Sequence, residues 1–85
     1  MAVTHADVLD VVTDLLVKLG VEAELITGSA VLGRDLELDS TDAVEVALEF
    51  KRHFGVTVKV QVKGDETVDD LIELVQAEAA RADVG

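Results

Sequence analysis

Apolar positions recur at helical spacing in three stretches of this chain, and each stretch is opened by a short polar residue. In the first, Val8, Leu9, Val12, Leu15, Leu16 and Leu19 repeat at three- and four-residue intervals, with Asp7, Asp10, Asp14 and Lys18 on the other side. That spacing predicts an amphipathic helix. Thr4, with Asp7 three residues on, marks its start, because side-chain oxygens there satisfy N–H groups that the first turn leaves without partners. Gly20 marks its end, since glycine takes the left-handed conformation at low cost.

The second stretch runs from Ala43 to Phe54. Ala43, Ala47, Phe50 and Phe54 line one face, with Val44 and Leu48 beside them. Asp42, Glu45 and Glu49 form an acidic stripe opposite, closed by Arg52 and His53, and Gly55 stops the helix. Asp39 is the expected N-cap and Asp42 the N3 residue, which puts negative charge at the positive end of the helix dipole. The third stretch opens at Thr67, with Asp70 three residues on. Val68, Leu71, Ile72, Val75 and Ala79 carry it to about Ala82, after which the last residues are expected to fray.

The connections differ. Residues 21–38 have no sustained period, yet Leu25, Ile26, Val31, Leu32, Leu36 and Leu38 are too apolar for a loose linker. A long ordered loop that packs several of these onto the core is expected, and loops of that length are usually functional. Val56 to Lys63 alternates like a strand, but no second strand is evident to pair with it. It is expected as an extended segment or irregular turn, followed by a turn at Gly64-Asp65-Glu66. No repeat or low-complexity tract interrupts the chain, and residues 1–85 read as a single domain.

Composition narrows the partners. The chain has 85 residues and a formal net charge of −11. Such a molecule is repelled by nucleic acid and by anionic membranes and is steered toward basic patches on proteins. It has no cysteine, which removes disulfides, thiolate metal sites and a cysteine nucleophile. With no long apolar run and no signal-peptide pattern at Met1 to Asp7, a cytoplasmic location is the expectation.

Catalytic equipment is sparse. Ser40 lacks a nucleophile-elbow setting. His53 follows it by thirteen residues on the same predicted helix, about 20 Å away, too far to act as its base. Counted as a calcium loop from Asp35, the sequence places Ser40 and Val46 where glycine and glutamate are required. There is no Gly-rich phosphate loop, and the two histidines have no metal-ligand spacing. Neither a catalytic residue nor a metal ligand is expected. Taken singly, Asp39 and Asp42 read as helix caps, Glu45 and Glu49 as a solvated face, and Phe50, Phe54, Val44, Leu48 and Val58 as core. What stands out is Ser40 itself, because a serine at a helix N-terminus is placed where a phosphate is favoured.

The segment Leu36-Glu37-Leu38-Asp39-Ser40-Thr41-Asp42-Ala43-Val44-Glu45 resembles the signature of the acyl carrier protein family, an Asp-Ser-Leu core leading into an acidic helix. The likeness extends over most of the chain, including the Phe-Gly end of the second helix and the last helix opening at Thr67-Val68. It implies a small four-helix bundle. Here the fold is expected to be all-α: an up-down bundle of three main helices with a long first loop and a short or irregular third helix. The resemblance further implies a 4′-phosphopantetheine arm on Ser40, installed by a phosphopantetheinyl transferase that Asp39 helps to guide. The arm would hold acyl groups as thioesters. Asp42, Glu45 and Glu49, with Thr41 and Arg52, would meet acyl-loading and ketosynthase-type enzymes through basic docking patches. Val44, Leu48 and Val58 would line an acyl pocket if one exists.

Three positions depart from the family pattern. Thr41 stands where leucine commonly follows the serine. Lys51 and Arg52 stand where fatty-acid carriers are usually acidic. Val58 to Glu66 reads as β-like where the short third helix is expected. These departures point toward polyketide or other specialised biosynthesis, and with no attached domain in the sequence a free-standing, monomeric carrier is the expectation. The alternatives are a peptidyl or aminoacyl carrier, and a cofactor-free acidic adaptor for a basic protein.

Overall fold

The computed structural model describes residues 3–82. Three α-helices form: α1 (His5–Lys18), α2 (Ser40–Phe54) and α3 (Val68–Ala82), with a short 3-10 turn at Ala23–Leu25. The all-α expectation holds. The expected fraying of the chain's last residues falls outside the described range.

Each helix starts where a capping box lies in the sequence. Thr4 Oγ1 accepts from the Asp7 N–H and Asp7 Oδ2 accepts from the Thr4 N–H. Thr67 and Asp70 repeat the reciprocal pair at α3. Satisfying two orphan donors at once fixes the boundary to a residue. The end of α1 is a Schellman turn. The Val21 N–H reaches the Leu16 carbonyl at 2.9 Å and the Gly20 N–H reaches that of Val17 at 3.0 Å, with Gly20 at φ 99°.

α1 packs against both other helices. Val8, Val12, Leu16, Phe50, Leu71, Ile72 and Val75 are buried almost completely, and each such side chain contributes about 1.5–3 kcal/mol relative to exposure. The long loop joins the same core through Leu32, Leu36 and Leu38, while Leu25 stays exposed. The expected packing of α2 needs correction. Its buried face is Ala43, Val46 and Phe50, and Val44 and Leu48 are 58% and 50% exposed. The α1 contact selects the 43–46–50 row, which leaves the neighbouring 44–48 row outside.

The four-helix bundle implied by the resemblance is also corrected: among the described residues there are three α-helices. Where the short third helix was expected, residues 56–61 take neither helix nor strand and residues 62–65 bend. Val56 and Val58 enter the core, and Val60 and Val62 pack against its edge. The β-branched alternation explains this. Valine at every second position suits a pleated backbone with one face buried and disfavours a helical turn.

Candidate functional site

Asp39 to Asp42 is positioned by the loop before it. The Leu36 and Leu38 N–H groups bond to the carbonyls of Val31 and Leu32 at 3.2 Å each, and Asp35 Oδ2 accepts from the Val31 N–H at 2.8 Å. Leu36 and Leu38 are buried, so both anchor the backbone that delivers the helix start. Between them Glu37 sits at φ 55°, a left-handed conformation that costs a non-glycine residue on the order of 1 kcal/mol.

Asp39 then caps α2. Its Oδ1 accepts from the Asp42 N–H at 2.9 Å, and Asp42 Oδ2 accepts from the Asp39 N–H at 3.2 Å. Ser40 is the first helical residue and is exposed. Its hydroxyl makes no hydrogen bond with a described residue. The capping box thus uses the two acids on either side and leaves the serine oxygen free at the positive end of the helix.

Ser40 lines an open groove of about 520 Å³. Ala43, Val44 and Ala47 of α2 form one wall and residues 58–63 the other. Two alanines at successive turns keep the helix wall low. The opposite wall is pinned from behind at Gly33, where a Cβ would lie 1.9 Å from the Val62 carbonyl oxygen. Only glycine admits that approach. Below it, Leu32 N–H bonds to the Glu66 carbonyl at 2.9 Å and Val68 N–H to that of Ala30 at 3.0 Å. Val31 and Thr67 form an isolated antiparallel bridge.

Of the three pocket candidates, Val44 and Val58 line this groove and Leu48 does not. Ala43, Ala47, Val60 and Val62 were missed. The valine alternation was the available signal for the last two, while the alanines carry no mark in the sequence beyond their small size.

The acidic face is graded. Thr41 and Glu45 are exposed, and Asp42 is half-buried by its capping role. The Glu49 side chain is 18% exposed and is held by the Arg52 guanidinium and by His53 Nε2 at 3.1 Å. Free negative charge is therefore concentrated near the start of α2, and its end presents Lys51 and Arg52. A second cleft, between the end of α1 and the approach to α2, is edged by Glu22, Asp35, Glu37 and Asp42. Among the described residues no three carboxylate or histidine side chains are grouped to hold a metal, and no helix is long and apolar enough to cross a membrane.

The family described as "Phosphopantetheine attachment site" matches residues 7–75. An acyl carrier protein of Trieres chinensis is 35% identical over 65 residues, covering 75% of this chain and 81% of that protein. One from Porphyromonas gingivalis is 34% identical over 77 residues, covering 89% and 95%. None of the solved structures matches. The fold and match together define a phosphopantetheine-bearing domain. The chain belongs to the acyl carrier protein family. It is a carrier and not a catalyst, and its cofactor is 4′-phosphopantetheine. Carrier proteins interact with a phosphopantetheinyl transferase and with biosynthetic enzymes.

Proposed function

We propose that Ser40 carries the phosphopantetheine arm and that the chain is a monomeric carrier of acyl intermediates in a polyketide or other specialised pathway. The observation that carries the assignment is the exposed, unbonded hydroxyl of Ser40 at the first position of a 15-residue helix. A phosphodiester at that position meets the positive helix end. Ser29, the other serine, lies in a turn with no helix behind it. The arm supplies the thiol that this cysteine-free chain lacks, and with it the thioester linkage.

Asp39 and Asp42 give the transferase an acidic, preorganised approach to Ser40, because their capping bonds fix the backbone on both sides of it. Glu45, one turn further on, extends the same charge. Partner enzymes with basic patches are drawn to this end of α2, giving the fast and weak association a shuttle requires. Glu49 acts through its bridge to Arg52 rather than as a free acid. Thr41 beside the serine and Arg52 at the far end favour partners other than those of generic fatty-acid carriers. The non-helical residues 56–62, where the short third helix was expected, support the same reading. A reducing cytoplasm, where the thiol stays free, is the location that suits it.

Intact-protein mass spectrometry tests the assignment, after incubation with coenzyme A and a broad-specificity phosphopantetheinyl transferase. The expected result is a gain of one phosphopantetheinyl group, mapped by peptide to Ser40 and absent in Ser40→Ala. Modification that persists in Ser40→Ala, or no gain on a folded, unmodified sample, would overturn it.

A further inference from the structure

Most of this chain's positive charge is gathered in one short stretch. Residues 51–63 hold Lys51, Arg52, Lys59 and Lys63, four of the seven lysines and arginines, and none of the eighteen aspartates and glutamates. Arg52 is paired with Glu49, and Lys51 Nζ donates to Thr57 Oγ1 at 3.4 Å. Lys59 and Lys63 are exposed and make no ion pair with a described residue. Both stand on the wall of the Ser40 groove that faces α2. Asp42 and Glu45 do not line that groove; they lie on the flank of α2 turned away from the row of Ser40, Ala43, Val44 and Ala47. The surface around Ser40 therefore carries both signs, acids on one side and unengaged lysines on the other.

We propose that Lys59 and Lys63 form a second docking surface, complementary to carboxylates on the partner enzymes, so that a two-signed face around Ser40 is what those enzymes recognise; this rests on the assignment of Ser40 as the attachment site. A face of one sign attracts but leaves the partner free to turn about the contact. Two signs side by side fix the orientation, and they also reject. A partner that is basic throughout gains at Asp42 and Glu45 and loses at Lys59 and Lys63. A partner with carboxylates opposite the lysines gains at both. Charge also decides between a protein and other anionic surfaces. A membrane or a nucleic acid is negative over its whole extent and would face Asp42 and Glu45 across the same serine, in a chain of net charge −11. A second copy could offer its own α2 acids to the lysines, but it would bring the same −11 with it. A protein surface, on which the sign can change within one contact, meets both halves.

The test titrates isotope-labelled protein, with and without the arm, with an octaglutamate peptide at about 0.1 M salt, where charges more than about 10 Å apart are largely screened. Amide resonances are read residue by residue. The expected result in both forms is saturable movement confined to residues 51–63, lost at about 0.5 M salt and roughly three- to tenfold weaker in binding for Lys59→Gln/Lys63→Gln. An octalysine peptide should instead move residues 40–45, and the double variant should bind it at least as well. No movement with octaglutamate, or the same affinity in the double variant, would overturn the second surface and leave the attachment site standing. Phosphatidylglycerol vesicles that perturb the same amides more strongly than the peptide would assign the lysines to a membrane and overturn it as well. So would movement of these amides with protein concentration alone, which would assign them to a second copy. Failure of Ser40 to gain mass with coenzyme A and the transferase would overturn the attachment assignment itself.

Discussion

Two connections flank α2, and they are built on opposite plans. Residues 20–39 hold a 3-10 turn, a succession of backbone hydrogen bonds and five buried aliphatic side chains at Ala30, Val31, Leu32, Leu36 and Leu38. Residues 55–67 bury Val56 and Val58 but make almost no backbone bonds until Glu66. The first is a bracket: it spends conformational freedom, and the strain at Glu37, to fix where α2 begins. The second is a wall held by side chains and by one close approach at Gly33, with its polar backbone left open. Ser40 stands where the two meet, fixed by one and facing the other.

The comparison is broken most severely at the bracket. Leu32→Ala removes a side chain with no exposed surface and is expected to cost about 2–5 kcal/mol in urea unfolding. Gly33→Ala attacks the attachment of the wall. Its Cβ meets backbone at 1.9 Å, so the segment must shift, and a loss of about 1–3 kcal/mol is expected. The amide resonances of residues 60–64 should move more than those of α1. A loss below about 0.5 kcal/mol would mean that the wall is not pinned there.

Asp39→Ala removes the α2 cap and is expected to cost about 0.5–2 kcal/mol. It should also slow modification by the transferase, read as the rate of mass gain. Asp39→Asn separates the two effects, because it keeps the cap and removes the charge. The smallest effect is expected from Glu45→Lys. It should leave stability within about 0.5 kcal/mol yet slow partner reactions more at low than at high ionic strength. Equal slowing at both would argue against electrostatic docking.

How much of this was legible depended on the range of each interaction. The three capping boxes, at Thr4/Asp7, Asp39/Asp42 and Thr67/Asp70, are local signals, and each starts a helix where expected. The irregular course of residues 56–62 was equally local, written in valine at every second position, which disfavours a helix. The buried face of α2 was not. Rows 43–47–50–54 and 44–48 are adjacent on the helix, and Val46 belongs to the face that α1 covers, so only the tertiary partner decides. The same holds for the groove. The contact of Gly33 with Val62 spans 29 positions of sequence, and no local pattern announces it. The acidic stripe was legible as charge but not as availability, since whether Glu49 is free depends on where Arg52 and His53 turn.

The run Val56-Thr57-Val58-Lys59-Val60-Gln61-Val62-Lys63 has a further consequence for solution behaviour. Branched residues at alternate positions with open main-chain groups are the ingredients of cross-β assembly. Lys59 and Lys63 interrupt that propensity as gatekeepers, since stacking identical chains would stack their charges. The acid-rich remainder of the molecule adds repulsion between copies. Neutralising both lysines therefore removes a barrier to fibre formation along this run.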